Sequence, residues 1–204
     1  MSSLQEHFGQ IDIYLFDQIL RKRITPSMRI LDVGCGFGRN LIYLLQDGYE
    51  VFAVDADQAG VAATRRVAAD LAPGLPRENF RVEPAEAMSF PDDFADVVIS
   101  SAVLHFARTD EQFLAMVREM WRVLKPGGLF FCRLASLIGL ENRARPLSGR
   151  RHLLPDGSER YLVDEAMLMD ITAEMGGRLA DPLKTTVVQN QRAMTTWVVT
   201  KNQG

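Results

Sequence analysis

The residues with the clearest chemical potential lie at positions 31–40, where a carboxylate precedes three closely spaced glycines. Asp32 is followed by Gly34, Gly36 and Gly38. An apolar strand pattern runs directly into this turn, and glycine permits backbone angles and close ligand approach that a side chain would prevent. A glycine turn between the carboxyl end of a strand and a helix forms a crevice for a nucleotide, with backbone amides directed at the ligand.

The position of the acid distinguishes two classes of ligand. A dinucleotide site has the spacing G-x-G-x-x-G and places a pyrophosphate on the helix amides, whereas this turn has the spacing G-x-G-x-G. Asp32 would repel a pyrophosphate, but it suits a ligand that carries an ammonium or sulfonium cation. Asp55 ends the next apolar run and is placed to accept hydrogen bonds from both ribose hydroxyls, a role that the two classes share.

His105 and a group of arginines are the candidates for chemistry on the acceptor. His105 follows the fourth predicted strand, and its ordinary pKa of about 6.5 suits proton removal from an acceptor near neutral pH; alternatively it only packs beside Phe106. Arginine binds carboxylates and oxyanions through paired hydrogen bonds, so the arginines after the fifth predicted strand indicate an anionic acceptor. Alternatively they belong to a solvated loop. The candidates on the substrate side are Arg133, Arg143, Arg145 and Arg151, and the same group includes Arg150, with His152 and Arg160 beyond it.

Hydrophobic periodicity predicts the elements that would position these residues. Strands are predicted at 28–33, 51–54, 80–82, 95–100 and 129–134, helices at 11–20, 37–45, 59–71, 109–124 and 167–175, and a closing hairpin of strands at 184–188 and 194–200. Thr109 and Gln112 have the spacing of a helix capping box. Strands that alternate with helices predict an α/β fold with a doubly wound, mostly parallel sheet of seven strands, one of them antiparallel.

Composition restricts the domain organisation and the classes of partner. The chain has 204 residues, 47% of them hydrophobic, which predicts a single domain over 1–204 with a helical cap at 1–25 and an arginine-rich, substrate-side loop at 136–162. The net charge of −3 argues against a nucleic-acid partner or an anionic membrane surface. The polar start of the chain and the lack of a long apolar run predict a cytoplasmic location. Cys35 and Cys132 are widely separated, so neither a disulfide framework nor a metal site is predicted.

Four segments, taken in order, resemble the class I S-adenosylmethionine-dependent methyltransferases. Residues 31–38 resemble the first motif of that family, 54–57 the ribose-binding acid segment, 84–91 the adenine-side loop and 123–128 the turn that opens the fifth strand. The resemblance covers about residues 28–134. It implies a Rossmann-like methyltransferase fold and methyl transfer from the cofactor S-adenosylmethionine to a small molecule.

The resemblance also implies roles for particular residues. The turn backbone would line the methionine part of the cofactor with Asp32 near its ammonium group, and Asp55 would bind the ribose. Pro84 stands where many relatives have an aspartate that accepts from the adenine amino group, so adenine recognition would fall to the Ala85 amide and to Glu86. The implied cofactor-binding residues are Asp32, Gly34, Cys35, Gly36, Gly38, Asn40, Asp55, Ala56, Asp57, Ala85, Glu86, Ser101 and Ala102.

Some alternatives stay open from the sequence. Residues 38–40 together with 48–51 are similar to the tellurite-resistance-type branch of small-molecule methyltransferases. An NAD-linked oxidoreductase on a similar fold and a non-catalytic protein that binds an adenosyl nucleoside are the other two functions considered. Methylation of RNA or protein is disfavoured by the small size and negative net charge of the chain. Cys35 has no base beside it in sequence, which favours a small packing residue over a nucleophile.

Overall fold

The computed structural model describes residues 4–203, and its framework is an eight-stranded sheet with a small three-stranded sheet beside it. The strands are β1 (Arg29–Val33), β2 (Glu50–Asp55), β3 (Phe80–Val82), β4 (Ala95–Ser101), β5 (Leu124–Ala135), β6 (Arg145–Ser148), β7 (Arg151–Leu153), β8 (Glu159–Tyr161), β9 (Gly177–Leu179), β10 (Lys184–Val188) and β11 (Arg192–Lys201). The helices are α1 (Leu4–Phe8), α2 (Ile13–Leu20), α3 (Ile42–Gln46), α4 (Gln58–Leu71), α5 (Asp110–Val123) and α6 (Glu165–Glu174).

The large sheet confirms the predicted mostly parallel arrangement with one antiparallel strand, but it has eight strands instead of seven because β9 also joins it. Its order is β10-β11-β5-β4-β1-β2-β3, and β9 adds to β11. The pairs among the first five strands are parallel, and β11 is antiparallel to β5, β9 and β10. The chain moves outward from β1 through β2 to β3, and then returns to the other side of β1 with β4. Such a reversal opens a crevice at the carboxyl ends of the two central strands.

Helices cover both faces of the sheet, as a doubly wound fold requires. On one face α2, α3 and α4 pack against the sheet through residues such as Leu15 and Val61. On the other face α5 and α6 pack through residues such as Phe113 and Leu168. Because successive side chains of a strand point to opposite faces, Ile30 belongs to the first cluster and Leu31 to the second.

Side-chain caps fix where several helices begin. Asp12, Asp57, Thr109 and Asp164 cap the amino ends of α2, α4, α5 and α6 by accepting backbone hydrogen bonds. The predicted capping box at Thr109 is half formed: Thr109 Oγ1 accepts from the Gln112 amide at 3.2 Å, whereas Gln112 Oε1 accepts from the Arg108 amide. The other end of the Gln112 side-chain amide is thereby free to contact a loop near the crevice.

Three predicted elements differ from the structure. The helix predicted at 37–45 begins only at Ile42, because Gly36 and Gly38 have φ of +52° and +78° and extend the turn, which leaves Phe37 exposed. The amino-terminal helix begins at Ile13 rather than at residue 11. The segment 136–162, predicted as a loop, contains β6, β7 and β8.

Residues 1–3 of the predicted cap, and residue 204, lie outside the described residues. Within residues 4–203 no helix has the length and apolar character needed to cross a bilayer.

Candidate active site

The glycine turn after β1 is held open at the crevice by contacts with β2. The amides of Gly34 and Cys35 donate to the Val54 carbonyl at 2.8 and 3.0 Å. The Gly36 carbonyl accepts from Thr64 Oγ1 of α4 at 2.8 Å. Gly34, Gly36 and Gly38 all have positive φ, a region that residues with a side chain rarely enter. The turn is therefore a preformed backbone loop between β1, β2 and the start of α4.

Each of the first two glycines is required for a different reason. A Cβ on Gly34 would clash with Cγ2 of Val103, so the close approach of the segment after β4 excludes a side chain there. A Cβ on Gly36 would meet nothing within 4 Å and would project into open space. Gly36 lines the crevice, so that open space is the volume where a ligand would contact the backbone.

Asp55, the last residue of β2, stands opposite the turn. Its Oδ2 accepts from the Gly36 amide and its Oδ1 from the Asp57 amide, both at 2.8 Å. These bonds fix the carboxylate in one orientation at the mouth of the crevice. Each carboxylate oxygen keeps a second lone pair that can accept from a ligand hydroxyl.

Asp32 is the least satisfied carboxylate of the site. It is 1% exposed, and neither carboxylate oxygen has a hydrogen-bond partner among the described residues. Burial raises the pKa of Asp32 to about 7; the charge of Arg39 opposes this rise and that of Asp55 adds to it. An unpartnered buried carboxylate is costly, and a cationic ligand group beside it would offset that cost.

The crevice at the turn is a cavity of about 430 Å³ between the ends of β1, β2 and β4. Seven of the predicted cofactor residues line it: Gly34, Gly36, Asp55, Ala56, Ala85, Glu86 and Ala102. The wall also contains Glu83, Pro84, Val103, Phe106, Gln112 and Met116. Gln112 Nε2 donates to Glu86 Oε1 at 3.1 Å and so ties the loop after β3 to α5. Gln112 and Met116 were not predicted to line the site. The sequence indicates only a capping box at Gln112 and a helix at Met116.

The other six predicted cofactor residues lie outside this lining. Asp32 is buried behind the turn, Gly38 packs near Thr64 and Asp57 caps α4. Burial raises the pKa of the Cys35 thiol to about 12, so it stays protonated at neutral pH. Asn40 and Ser101 instead contact the amino-terminal segment.

A network of buried polar groups joins that segment to the site. The Asp12 amide donates to Asn40 Oδ1 at 3.0 Å, and Asp12 Oδ2 accepts from Arg133 Nη1 at 2.9 Å. Ser101 Oγ accepts from Arg39 Nη2 at 3.0 Å and lies 3.5 Å from Asp12 Oδ2. The start of α2 is therefore fixed to the glycine turn and to the ends of β4 and β5. The sequence offers no signal for Asp12 beyond a helix cap.

A second cavity of about 290 Å³ adjoins the first at Ala102. Ala102 has φ of +66°, a strained conformation for a residue with a Cβ, and such strain clusters at functional sites. The lining residues are Ala102, His105, Arg133, Ala135, Leu154, Asp156, Ser158, Arg160, Val188, Arg192, Ala193 and Met194. The two cavities are therefore adjacent, with Ala102 between them.

His105 lines the second cavity and is 5% exposed. Its Nδ1 accepts a hydrogen bond from the Ala135 amide at 3.2 Å. Burial lowers the pKa of His105 to about 4, with a further contribution from the charge of Arg160. The neutral imidazole thus has its accepting nitrogen already occupied and carries its proton on Nε2.

The structure separates the predicted substrate-side arginines. Arg133 lines the second cavity, whereas Arg143, Arg145 and Arg151 do not; Arg151 pairs with Glu159 at 2.7 Å. Arg160, which belongs to the arginine group noted in the sequence, also lines this cavity, and so does Arg192, which was not predicted. Arg192 follows the β10–β11 turn, and the antiparallel pairing of β11 with β5 brings this turn beside the end of β5. The proximity of Arg192 to the second cavity therefore depends on tertiary structure and has no local signal in the sequence.

A third cavity, of about 590 Å³, opens at the opposite edge of the sheet. Met28 precedes β1 and Asp96 lies at the amino end of β4, so this cavity is at the amino ends of the parallel strands. Ligands of open α/β sheets bind at the carboxyl ends, so the paired cavities at Ala102 are the candidate active site.

Comparison with known proteins agrees with this fold. A family model described as a methyltransferase domain matches residues 31–132, which is half of the chain. The match spans the glycine turn, Asp55, the loop at Ala85, the end of β4 and most of β5. The chain therefore belongs to the methyltransferase domain family, and its resemblance to class I S-adenosylmethionine-dependent methyltransferases is confirmed.

Two curated relatives illustrate the similarity in sequence. The chain is 28% identical to a ubiquinone biosynthesis O-methyltransferase of Chelativorans sp. over 77% of this chain and 64% of that protein. It is 36% identical to a 2-methyl-6-phytyl-1,4-hydroquinone methyltransferase of Synechocystis over 52% of this chain and 31% of that protein. The chain thus spans from about a third to under two thirds of these relatives' lengths.

Two solved structures show the same fold at low sequence identity. An S-adenosylmethionine-dependent methyltransferase from Methanosarcina mazei superposes with a TM-score of 0.74 at 20% identity, over 91% of this chain and 98% of that one. A magnesium protoporphyrin IX methyltransferase from Synechocystis, solved with bound S-adenosylmethionine, gives 0.67 at 17% identity, over 93% and 77%. Both confirm the Rossmann-like methyltransferase architecture.

Proposed function

We propose that this protein transfers a methyl group from S-adenosylmethionine to a small, anionic acceptor. The observation that carries the proposal is the pair of cavities that meet at Ala102. One is built of glycine backbone and acidic side chains at the switch point of the sheet, and the other is lined by arginine and apolar residues. Methyl transfer needs two such compartments in line, because the acceptor must approach the methyl carbon from the side opposite the sulfur.

The residues of the first cavity fit S-adenosylmethionine. The unpartnered Asp32 carboxylate lies behind the glycine turn, where a ligand ammonium would supply its missing partner. The open volume at Gly36 admits a ligand against the backbone. Asp55 is oriented to accept from ribose hydroxyls, and Ala56, Ala85 and Glu86 line the part of the cavity where the adenine would lie. The carboxylate of Asp32 would oppose a pyrophosphate, which disfavours the NAD-linked alternative.

When bound, S-adenosylmethionine supplies a methyl group on an already activated sulfonium. The protein's contribution is to align the two partners and to exclude water. Val103 and Phe106 form an apolar wall in the cofactor cavity, and the strained backbone at Ala102 shapes the opening toward the acceptor. The hydrogen bond from the Ala102 amide to the Arg133 carbonyl, 2.7 Å long, holds that opening against β5.

The charges around the second cavity support an anionic acceptor. Arg133, Arg160 and Arg192 line it, against a single lining carboxylate, Asp156. Arg133 is already paired with Asp12, which leaves the other two guanidinium groups and Asp156 with a net positive charge. Leu154, Val188 and Met194 complete the lining and suit an apolar body on the acceptor. A volume of about 290 Å³ restricts the acceptor, or the part of it that reacts, to a small molecule.

A crystal structure with S-adenosylhomocysteine tests the proposal. We expect the ribose hydroxyls on Asp55, the amino group beside Asp32 and the sulfur at Ala102, facing the second cavity. A ligand that leaves the Gly36 volume empty, or whose sulfur faces away from Ala102, would contradict it.

A further inference from the structure

We propose that His105 holds the acceptor as a hydrogen-bond donor through Nε2–H, and that the acceptor's nucleophilic atom enters as an anion that carries no proton. This inference rests on the proposed function and refines it. It replaces the expectation that His105 is a general base. It identifies the acceptor class as compounds such as carboxylates, whose attacking atom is already ionised near neutral pH.

The first argument is the hydrogen bond on Nδ1. The Ala135 amide can only donate, so Nδ1 must present its lone pair to it at 3.2 Å. A neutral imidazole then carries its single proton on Nε2, which has no lone pair to offer to an acceptor proton. To act as a base, His105 would have to break a buried bond to the backbone of β5. The hydrogen bond thus makes His105, which lines the second cavity, a donor through Nε2.

The second argument is the charge of the surroundings. Arg133, Arg160 and Arg192 line the same cavity as His105, and Asp156 is the one carboxylate in the lining. Burial and Arg160 keep the pKa of His105 low, so the ring stays neutral. The Ser158 hydroxyl donates to Asp156 at 2.6 Å, and this bond holds the pKa of Asp156 below its usual value. Among the described residues that line this cavity, none is therefore suited to remove a proton, whereas several donate to an anion.

The transfer balances without a base. The acceptor's lone pair forms the new bond to the methyl carbon while the carbon–sulfur bond breaks and its electron pair stays on sulfur. A sulfonium cation and an anion become a thioether and a neutral methylated product, and no proton moves. The arginine side chains of the cavity and His105 Nε2–H would bind the anion until the transfer removes its charge. They would then bind the neutral product more weakly.

Nitrogen-15 spectra of the imidazole rings test the tautomer directly. The chain has three histidines, so the His105 signals are those lost in His105→Gln; if that variant fails to fold, His7→Gln and His152→Gln identify them by elimination. We expect Nε2 protonated, Nδ1 bare and no titration between pH 5.5 and 8. A proton on Nδ1, or a titration midpoint within this range, would overturn the inference.

Benzoate and benzamide test the acceptor class, because they share a shape and differ in charge. We expect benzoate to bind at least tenfold more tightly and to shift the His105 Nε2 signal. Arg192→Gln should remove most of this preference, and Arg118→Gln, an exposed change on α5, should keep it. Equal binding of the two probes, or benzoate binding with His105 unaffected, would refute the inference. Both measurements are made with and without S-adenosylhomocysteine, and a failure of that ligand to bind would refute the proposed function instead.

Discussion

Replacement of Asp32 by asparagine should stabilise the protein at alkaline pH while it weakens cofactor binding. In the unfolded chain this carboxyl loses its proton near the ordinary pKa of 3.8, whereas burial keeps the proton on the folded protein up to a pKa of about 7. The folded state therefore binds one more proton than the unfolded state between these values, and stability falls as the pH rises. From pH 5 to pH 8 the loss from this group amounts to about 2 to 3 kcal/mol.

An asparagine side chain cannot ionise, so the Asp32→Asn variant should lack this loss. Urea unfolding of the cofactor-free protein at both pH values gives the free energies. Relative to the wild type, Asp32→Asn should gain about 2 to 3 kcal/mol between pH 5 and pH 8. Asp70→Asn, an exposed change on α4, should gain nothing. The Asp32→Asn variant should also bind S-adenosylhomocysteine about tenfold more weakly or worse, since the ammonium loses its charged partner. If wild type and Asp32→Asn show the same pH dependence, the reasoning on Asp32 is refuted.

Three further predictions test other parts of the site. Gly36→Ala and Gly48→Ala both place a Cβ in open space at positive φ, so each should cost about 1 kcal/mol of stability. Calorimetry should show at least a tenfold loss of S-adenosylhomocysteine affinity for Gly36→Ala but not for Gly48→Ala, and similar losses in the two variants would contradict the assignment of the cavity at Gly36 to the cofactor. The affinity of the wild-type protein for S-adenosylhomocysteine should rise about tenfold from pH 6 to pH 8 as Asp32 ionises, and binding at pH 6 should release close to one proton. An affinity that does not change with pH would contradict the contact between Asp32 and the ligand ammonium. Asp12→Ala should lower the free energy of unfolding in urea by about 2 to 4 kcal/mol, because it leaves Arg133 unpaired. Asp17→Ala, at a partly exposed ion pair, should lower it by about 1 kcal/mol or less, and equal losses would show that the Asp12 network is not stabilising.

Local signals in the sequence account for most of the fold. The alternation of strands and helices and the Thr109 cap depend on residues close in sequence, and the structure confirms them. Right-handed connections restrict the order of the strands in the large sheet, but that order was not predicted from the sequence. One of the exceptions is the helix that apolar spacing predicted from residue 37, because positive φ at Gly36 and Gly38 delays its start to Ile42.

The site was predictable only where its residues lie at the ends of neighbouring strands. The glycine turn, Asp55 and Ala102 follow β1, β2 and β4, so topology alone brings them to one edge. Asn40 was predicted to bind the cofactor, but it lies outside the cavity lining and its side chain accepts from the Asp12 amide, a contact that depends on the packing of α2. Arg192 was not predicted because it reaches the second cavity only through the pairing of the β10–β11 hairpin with β5.

Calorimetric titration of the wild-type protein with S-adenosylhomocysteine and with NADH tests the central claim most directly. Asp32 and the open backbone at Gly36 should give one tight site for S-adenosylhomocysteine, with affinity in the micromolar range or better, and no measurable heat from NADH. Binding of NADH with no binding of S-adenosylhomocysteine would contradict the account.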